Sequence, residues 1–426
     1  MNPFEITGVR GRRVWDSRGR PTVEAEVLLA GGAVGGAIAP AGASMGSGEA
    51  VDRRDGGSAF GGMDVKGAVR AVGEDLGPAL MGLDARDQAA ADLAMIEADG
   101  SPDRSRLGAN AIVATSMAVA WAAAHQSREP LWRVLGGEAH GRMPLPEIQI
   151  FGGGAHAGRR VDVQDFLIVC PGAGSFAEAL DWTAEVYRAA GTLMAERGQL
   201  MGVADEGGFW PAFDTNEAAL DALSLAIERA GFSAPDQVAI ALDVAASEFG
   251  AGGKYTLALD GRTLDSTAMA DQIVDWVARY PIVSVEDPLA EDDWAGMAAL
   301  TRRIGGRVQV VGDDFLVTDA ARVKRAAKEG ACNAVLLKPN QRGTLTETLA
   351  AWDAAKAAGY GAIVSARSGE TEDVTIIHLA VGWGVPQFKV GSFTRSERMA
   401  KWNEALRIEE ALGSRATFAG GSALVR

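Results

Sequence analysis

The chain has 426 residues, with 41 Lys and Arg against 56 Asp and Glu, a formal net charge of −15, and 47% hydrophobic against 23% charged residues. This length exceeds one ordinary core, so two units are expected, and the composition is that of a globular rather than a disordered chain. An acidic chain without basic runs is a poor match for nucleic acid or an anionic membrane surface. An anionic ligand would need positive charge supplied locally, by a few Lys or Arg side chains or by a metal.

Met1 to Arg20 has no apolar core before a cleavage site, so no secretory signal is expected. Residues 9–15 and 22–29 alternate as strands, joined by the turn Asp16-Ser17-Arg18-Gly19-Arg20-Pro21. A short third strand, residues 33–38, leads into a Gly, Ala and Ser-rich loop at 39–48, and two or three helices follow between 65 and 124. This is an α+β unit. The longest apolar stretch, 109–124, is broken by Asn110, Thr115 and Ser116 and is too short to span a bilayer. Cys170 and Cys332 lie far apart in apolar runs, which suits buried thiols better than a disulfide or zinc site. The expected location is the cytoplasm.

Beyond this unit, short apolar runs each end at a charged residue and are followed by a helical stretch. The runs 237–242, 281–285, 308–312, 334–337, 362–365 and 386–388 end at or just before Asp243, Glu286, Asp313, Lys338, Arg367 and Lys389. The steps from Glu286 to Asp313 and on to Lys338 are 27 and 25 residues, about one βα unit. The longer step from Asp243 to Glu286 holds an insertion, 250–265, whose centre reads as a strand. So many βα units predict a closed parallel barrel, with these ends gathered at one mouth. An open doubly wound sheet would need a glycine-rich phosphate loop after its first strand, and none stands in that context.

Asp243, Glu286 and Asp313 on neighbouring strand ends would repel one another unless a cation intervenes, and an all-oxygen set suits Mg²⁺. Separate salt bridges are the alternative. Lys338 and Lys389 would face the same cavity and lower each other's pKa, so that one can act as a base on a carbon acid beside a metal-bound carboxylate. Glu206, in Ala204-Asp205-Glu206-Gly207-Gly208-Phe209, reads as a general acid or as an acidic turn tip. His156 follows Gly152-Gly153-Gly154-Ala155 in a loop at the expected rim. Arg367-Ser368-Gly369 suits a phosphate clamp.

These residues, with several blocks in order, resemble the enolase family across nearly the whole chain. The blocks are Asp16-Ser17-Arg18-Gly19 with Pro21-Thr22-Val23-Glu24, Gly42-Ala43-Ser44, Leu107-Gly108-Ala109-Asn110-Ala111-Ile112, Asp205-Glu206-Gly207-Gly208-Phe209, Ser284-Val285-Glu286-Asp287-Pro288, Val311-Gly312-Asp313-Asp314, Asn340 to Glu347 and Arg367 to Asp373. The resemblance implies an α/β architecture: an N-terminal α+β domain, residues 1–136, on an enolase-type (β/α)8 barrel, residues 137–426, whose first units depart from simple alternation. It implies Lys338 as base, Glu206 as acid, and Lys389 holding the substrate carboxylate, with His156 and Asp165 among the catalytic groups. It implies Asp243, Glu286 and Asp313 on a first Mg²⁺, Ser44 at a second recruited with substrate, and Gln164, Arg367 and Ser368 on the substrate. Family members dehydrate 2-phosphoglycerate to phosphoenolpyruvate as homodimers or dimer-based octamers.

The departures cluster near the substrate. Ala366 stands where the family has His, Asp165 where it has Glu, Ala41 and Met45 where its loop has Ser and Thr, and Gly152-Gly153-Gly154-Ala155-His156 where it has Asn-Gly-Gly-Ser-His. An ordinary enolase is one reading. Another is a specialised homologue of phosphonate biosynthesis that makes carboxyphosphonoenolpyruvate from 2-phosphoglycerate and an activated phosphonoformate. A non-catalytic binding protein on this scaffold would show damage to the lysines, Glu206 or the carboxylates, and none is seen.

Overall fold

The computed structural model describes residues 2–43, 45–136 and 141–425. β1 (Ile6–Trp15) and β2 (Pro21–Leu29) pair antiparallel, and β3 (Val34–Ile38) adds to β2 in the same sense. The β1–β2 turn is held by Asp16, whose Oδ1 accepts the backbone N–H of Arg18 and of Arg20, each at 2.9 Å. Val23, Ala25, Val27 and Leu29 are buried on one face of β2, while Glu24 and Glu26 meet Arg12 on the other.

One long helix covers the buried face, and a shorter one packs against it. α1 (Gln88–Asp99) is capped by the Asp87 side chain, and α2 (Ala109–Ser127) crosses β2 and β3. A Cβ at Gly35 would collide with Ala118 O and Ala122 N, so glycine is what lets the helix backbone lie on the sheet. The apolar run 109–124 is therefore an interior helix. Ser116 Oγ on it accepts the Leu345 N–H at 3.0 Å, and Trp121 Nε1 donates to Thr375 Oγ1 at 2.9 Å, tying it to the second unit. Among the described residues no helix is long and apolar enough to cross a membrane. Cys170 and Cys332 are buried free thiols.

The second unit is a closed eight-stranded barrel. Its strands are β4 (Leu145–Gly152), β5 (Asp165–Val169), β6 (Ala239–Asp243), β7 (Ile282–Glu286), β8 (Gln309–Gly312), β9 (Ala334–Leu337), β10 (Gly361–Ser365) and β11 (Gln387–Ser392). They pair in chain order, and β11 returns to β4 to close the ring. Every residue of these strands is buried, as expected of strands covered on both faces. The covering helices are α3 (Phe176–Glu196), α4 (Asn216–Arg229), α5 (Ser266–Arg279), α6 (Trp294–Ile304), α7 (Ala320–Glu329), α8 (Leu345–Ala358), α9 (Thr375–Trp383) and α10 (Ser396–Leu412). Residues 250–265 form a three-stranded antiparallel sheet of their own.

One strand runs against the rest. β5 is antiparallel to both β4 and β6. The connection from β4 to β5 contains one short turn of helix, Gly154–Ala157, and no crossover helix, so the chain can only fold back. The inversion places the first residue of β5, Asp165, at the same mouth as the last residue of β6, Asp243, with which it is in register.

Candidate active site

The strand ends and the loops after them surround a small polar cavity of about 20 Å³. Its walls include His156, Gln164, Asp165, Glu206, Asp243, Lys338, Arg367, Ser368 and Lys389. Ala366 lines it between Ser365 and Arg367. Glu286 and Asp313 lie against the two lysines at its floor. Ser44 lies outside the described residues.

Each lysine sits on carboxylates. Lys389 Nζ donates to Asp243 Oδ2 at 2.8 Å and to Glu286 Oε2 at 2.9 Å, and lies 3.8 Å from Asp165 Oδ2. Lys338 Nζ pairs with Asp313 Oδ2. Burial alone would lower both lysines, but the carboxylates outweigh it: Asp313 raises Lys338, and Asp243 and Glu286 carry Lys389 well above its ordinary range. The sequence reading had one lysine depressed by the other. Here the acidic groups outnumber the ammonium groups, so the direction is reversed.

Burial and then Asp243 push Glu286 well above the ordinary carboxylate range. Burial works against the Asp243 carboxylate too, yet Lys389 brings it below its usual value. Glu286 Oε1 is buried without a hydrogen-bond partner. A buried oxygen left open beside Asp243 and Asp313 fits an oxygen-seeking cation, so these three residues can hold Mg²⁺. Among the described residues the tightest acidic sets, within 4.8 Å, are instead His156–Asp165–Glu206 and Asp287–Asp313–Asp314. In the latter, Asp287 already accepts the backbone N–H groups of Asp313 and Asp314, at 2.9 and 2.7 Å. It shapes the β8 end rather than offering a free ligand. Gln341 Nε2 holds the other Asp313 oxygen at 2.9 Å.

Across the cavity, Asp165 and Glu206 form a second acidic pair. Burial, then the Glu206 charge, push Asp165 up to about 7. Burial would raise Glu206 as well, but His156, whose Nδ1 lies 3.5 Å from Glu206 Oε1, holds it below its ordinary value, with Arg398 and the lysines adding to this. The two carboxyl groups are thus pushed in opposite directions, Asp165 above and Glu206 below the ordinary range.

The N-terminal unit packs on the loop at Arg367–Gly369 beside the mouth. Ala41 exchanges backbone hydrogen bonds with Gly369, both at 2.9 Å, and Ala43 N–H donates to Ser368 Oγ at 2.7 Å. Glu49 meets the Arg367 guanidinium with both oxygens, at 2.9 and 3.2 Å, and Asn340 Oδ1 accepts from it at 3.1 Å. From beneath, the fully buried Arg398 donates to Arg367 O and Val390 O at 2.6 and 2.9 Å and to Ser368 O at 2.5 Å. Met45 is exposed.

Sequence reasoning placed Asp287, Asn340 and Gln341 in family blocks without a role, and did not name Glu49, Arg398, Glu147 or Gln149. The last two had a signal: they are polar residues two apart in an otherwise apolar strand, β4. Burial pushes Glu147 up to about 7 despite Lys389 nearby.

Residues 6–135 match the family model described as enolase, N-terminal domain, and residues 140–426 the one described as enolase, C-terminal TIM barrel domain. A protein named enolase from Rubrobacter xylanophilus is 50% identical over 417 residues, covering 98% of this chain and 97% of the relative. Enolase 1 of Desulfitobacterium hafniense is 47% identical over 421 residues, covering 98% and 96%. With both units matched and the relatives aligned from end to end, the chain belongs to the enolase family and is an enzyme of the lyase class.

Proposed function

We propose that the chain removes the α-proton of 2-phosphoglycerate and expels its hydroxyl as water, giving phosphoenolpyruvate, with Mg²⁺ as cofactor. The observation that carries this is the placing of a lysine and an acid pair across one cavity. Lys338 follows β9 and Asp165 opens β5, four strands apart in a ring of eight. A base on one side and a proton source on the other suit removal of a proton and of a hydroxyl from opposite faces of one substrate.

Asp243, Glu286 and Asp313 would hold Mg²⁺, which would supply Lewis-acid charge that offsets the acidic groups around the lysines and favours an enolate. Lys338 takes the α-proton. Lys389 remains a cation that holds the substrate carboxylate. Asp165, which burial pushes up, and Glu206, which His156 holds down, together serve as the proton source for the departing hydroxyl. Arg367 and Ser368 hold the phosphate, and Gln164 lines the cavity beside it. A second Mg²⁺ is assigned to the loop carrying Ser44. The assembly proposed from the family likeness is a homodimer or a dimer-based octamer, which light scattering tests.

The test is ultraviolet detection of enol product from purified protein, Mg²⁺ and 2-phosphoglycerate, run beside exchange of the α-proton for deuterium. Fast turnover supports the reading, and absence of both signals sinks it. One observation favours a second reading. Ala366 lines the cavity beside the Arg367–Ser368 clamp, where a bulkier residue would fill space. A methyl group at this position suits a substrate larger by a carboxylate, as in formation of carboxyphosphonoenolpyruvate from 2-phosphoglycerate and an activated phosphonoformate. Exchange without elimination, together with consumption of a phosphonoformyl donor, selects this alternative.

A further inference from the structure

Gln149 belongs to none of the groups assigned above, yet it joins two of them. It lies mid-strand in β4 and is fully buried. Its Nε2 donates to Asp165 Oδ1, and its Oε1 accepts the Gly208 N–H at 2.8 Å. The orientation of the amide follows from its partners: a backbone N–H can only donate, so the oxygen faces Gly208 and the nitrogen faces the carboxyl.

Gly208 stands two residues beyond Glu206 in a tight turn, closed by the Ala204 N–H on Gly208 O at 2.8 Å. Thr394 Oγ1 and Tyr187 Oη pin the neighbouring Gly207 O at 2.7 and 3.0 Å. A Cβ on Gly208 would collide with the Gln149 amide, so the turn is seated directly on that side chain. One amide therefore reaches Asp165 directly and Glu206 through its loop.

We propose that Gln149 is a positioning residue for the Asp165–Glu206 pair, setting the spacing of the two carboxyl groups. This rests on the reading that the pair serves loss of the hydroxyl. Side-chain length supports it. Asp165 is one methylene shorter than the Glu that the resemblance places there, and the long Gln149 side chain reaches it. The two lengths form a matched pair.

The experiment compares wild type, Gln149→Met, Gln149→Asn and the double variant Gln149→Asn with Asp165→Glu, each first checked for folding by circular dichroism. Three readouts are taken with 2-phosphoglycerate and Mg²⁺: kcat and KM for enol product, the rate of α-proton exchange with deuterium, and hydrogen exchange of the Gly208 amide without substrate. Gln149→Met and Gln149→Asn are expected to lower kcat about a hundredfold, with KM and α-proton exchange within about threefold of wild type. The double variant, which restores the combined length, recovers at least about tenfold of that loss, and the Gly208 amide exchanges faster in Gln149→Met.

Unchanged elimination, or elimination and α-proton exchange falling together, overturns the proposal, as does no recovery in the double variant. If wild type neither exchanges the α-proton nor forms product, the functional reading has failed. The Gly208 amide then decides the positioning claim: protection that survives in Gln149→Met, or is absent from wild type, overturns it. Should Gln149→Met not fold, Gln149→Asn carries the same readouts.

Discussion

Lys389 Nζ lies 2.8 Å from Asp243 Oδ2, and both side chains are buried. The ammonium also reaches Glu286, so it holds together two carboxylates that would otherwise repel. Lys389→Met removes that charge without removing much volume. Without metal, the variant should lose about 3 kcal/mol of stability, as expected when one partner of a buried ion pair is taken away. Mg²⁺ should close part of the gap, because the same carboxylates would bind it. Thermal melts of both proteins with Mg²⁺ and with a chelator measure this. An identical deficit in the two conditions would count against Asp243 and Glu286 as metal ligands.

Lys338→Ala separates the base from the metal site. Its ammonium contacts Asp313 Oδ2, one of the proposed ligands. The variant should exchange the α-proton of 2-phosphoglycerate at least about a hundredfold more slowly, while calorimetry finds Mg²⁺ affinity equal or higher. Retained exchange would place the base elsewhere.

The mouth of the barrel was legible because Asp243, Glu286, Asp313, Lys338 and Lys389 each follow a short apolar run at βα spacing. Charge at the end of a buried strand is costly unless it converges on something, so the pattern carried structural information. The inverted strand β5 was not legible in the same way. Asp165 stands at the start of an apolar run rather than its end, and only the missing crossover helix before it gives the direction. Glu49 and Gln149 were hidden for different reasons. Glu49 acts across the two units, on a residue 318 positions away, and no local pattern encodes that pairing. Gln149 shares its apolar strand with a second polar residue, Glu147, which marks the position but not its use, because that depends on a loop of separate origin. The reversed direction of the lysine shifts follows from the count of carboxylates around them, which only three dimensions supply.

Ala366→His tests what the small side chain at this wall does. The substituted imidazole would stand beside Arg367 and Ser368 and offer a donor to a phosphate oxygen. A single added hydrogen bond is worth about 1 kcal/mol, so KM for 2-phosphoglycerate should fall by about fivefold if the cavity accepts the ring. Steady-state kinetics on that substrate and on a phosphonoformyl donor measure the result. Loss of the donor reaction alongside the improved KM would mean that the space at Ala366 serves the larger substrate. Weaker binding of 2-phosphoglycerate would mean that the ring blocks the cavity.

Stability toward acid should depend on Glu217, which is not among the residues lining the cavity. Arg279 is its principal partner, with Nη2 on Glu217 Oε2 at 2.8 Å, and Tyr280 Oη adds a bond at 3.2 Å. The Arg279 hydrogen bonds bring Glu217 to about 2 from an ordinary 4.5. A carboxylate whose folded pKa lies below its unfolded one binds fewer protons when folded, so its contribution is complete above the unfolded value and drains away as pH falls toward 2. The pair is more than a third exposed, and solvent screening limits its worth to below about 1 kcal/mol. Glu217→Gln should therefore be less stable than wild type at pH 7, with the gap in urea midpoint narrowing as pH falls below 4.5. A gap that stays constant with pH would assign the loss to packing against Arg279 and Tyr280 instead of to charge.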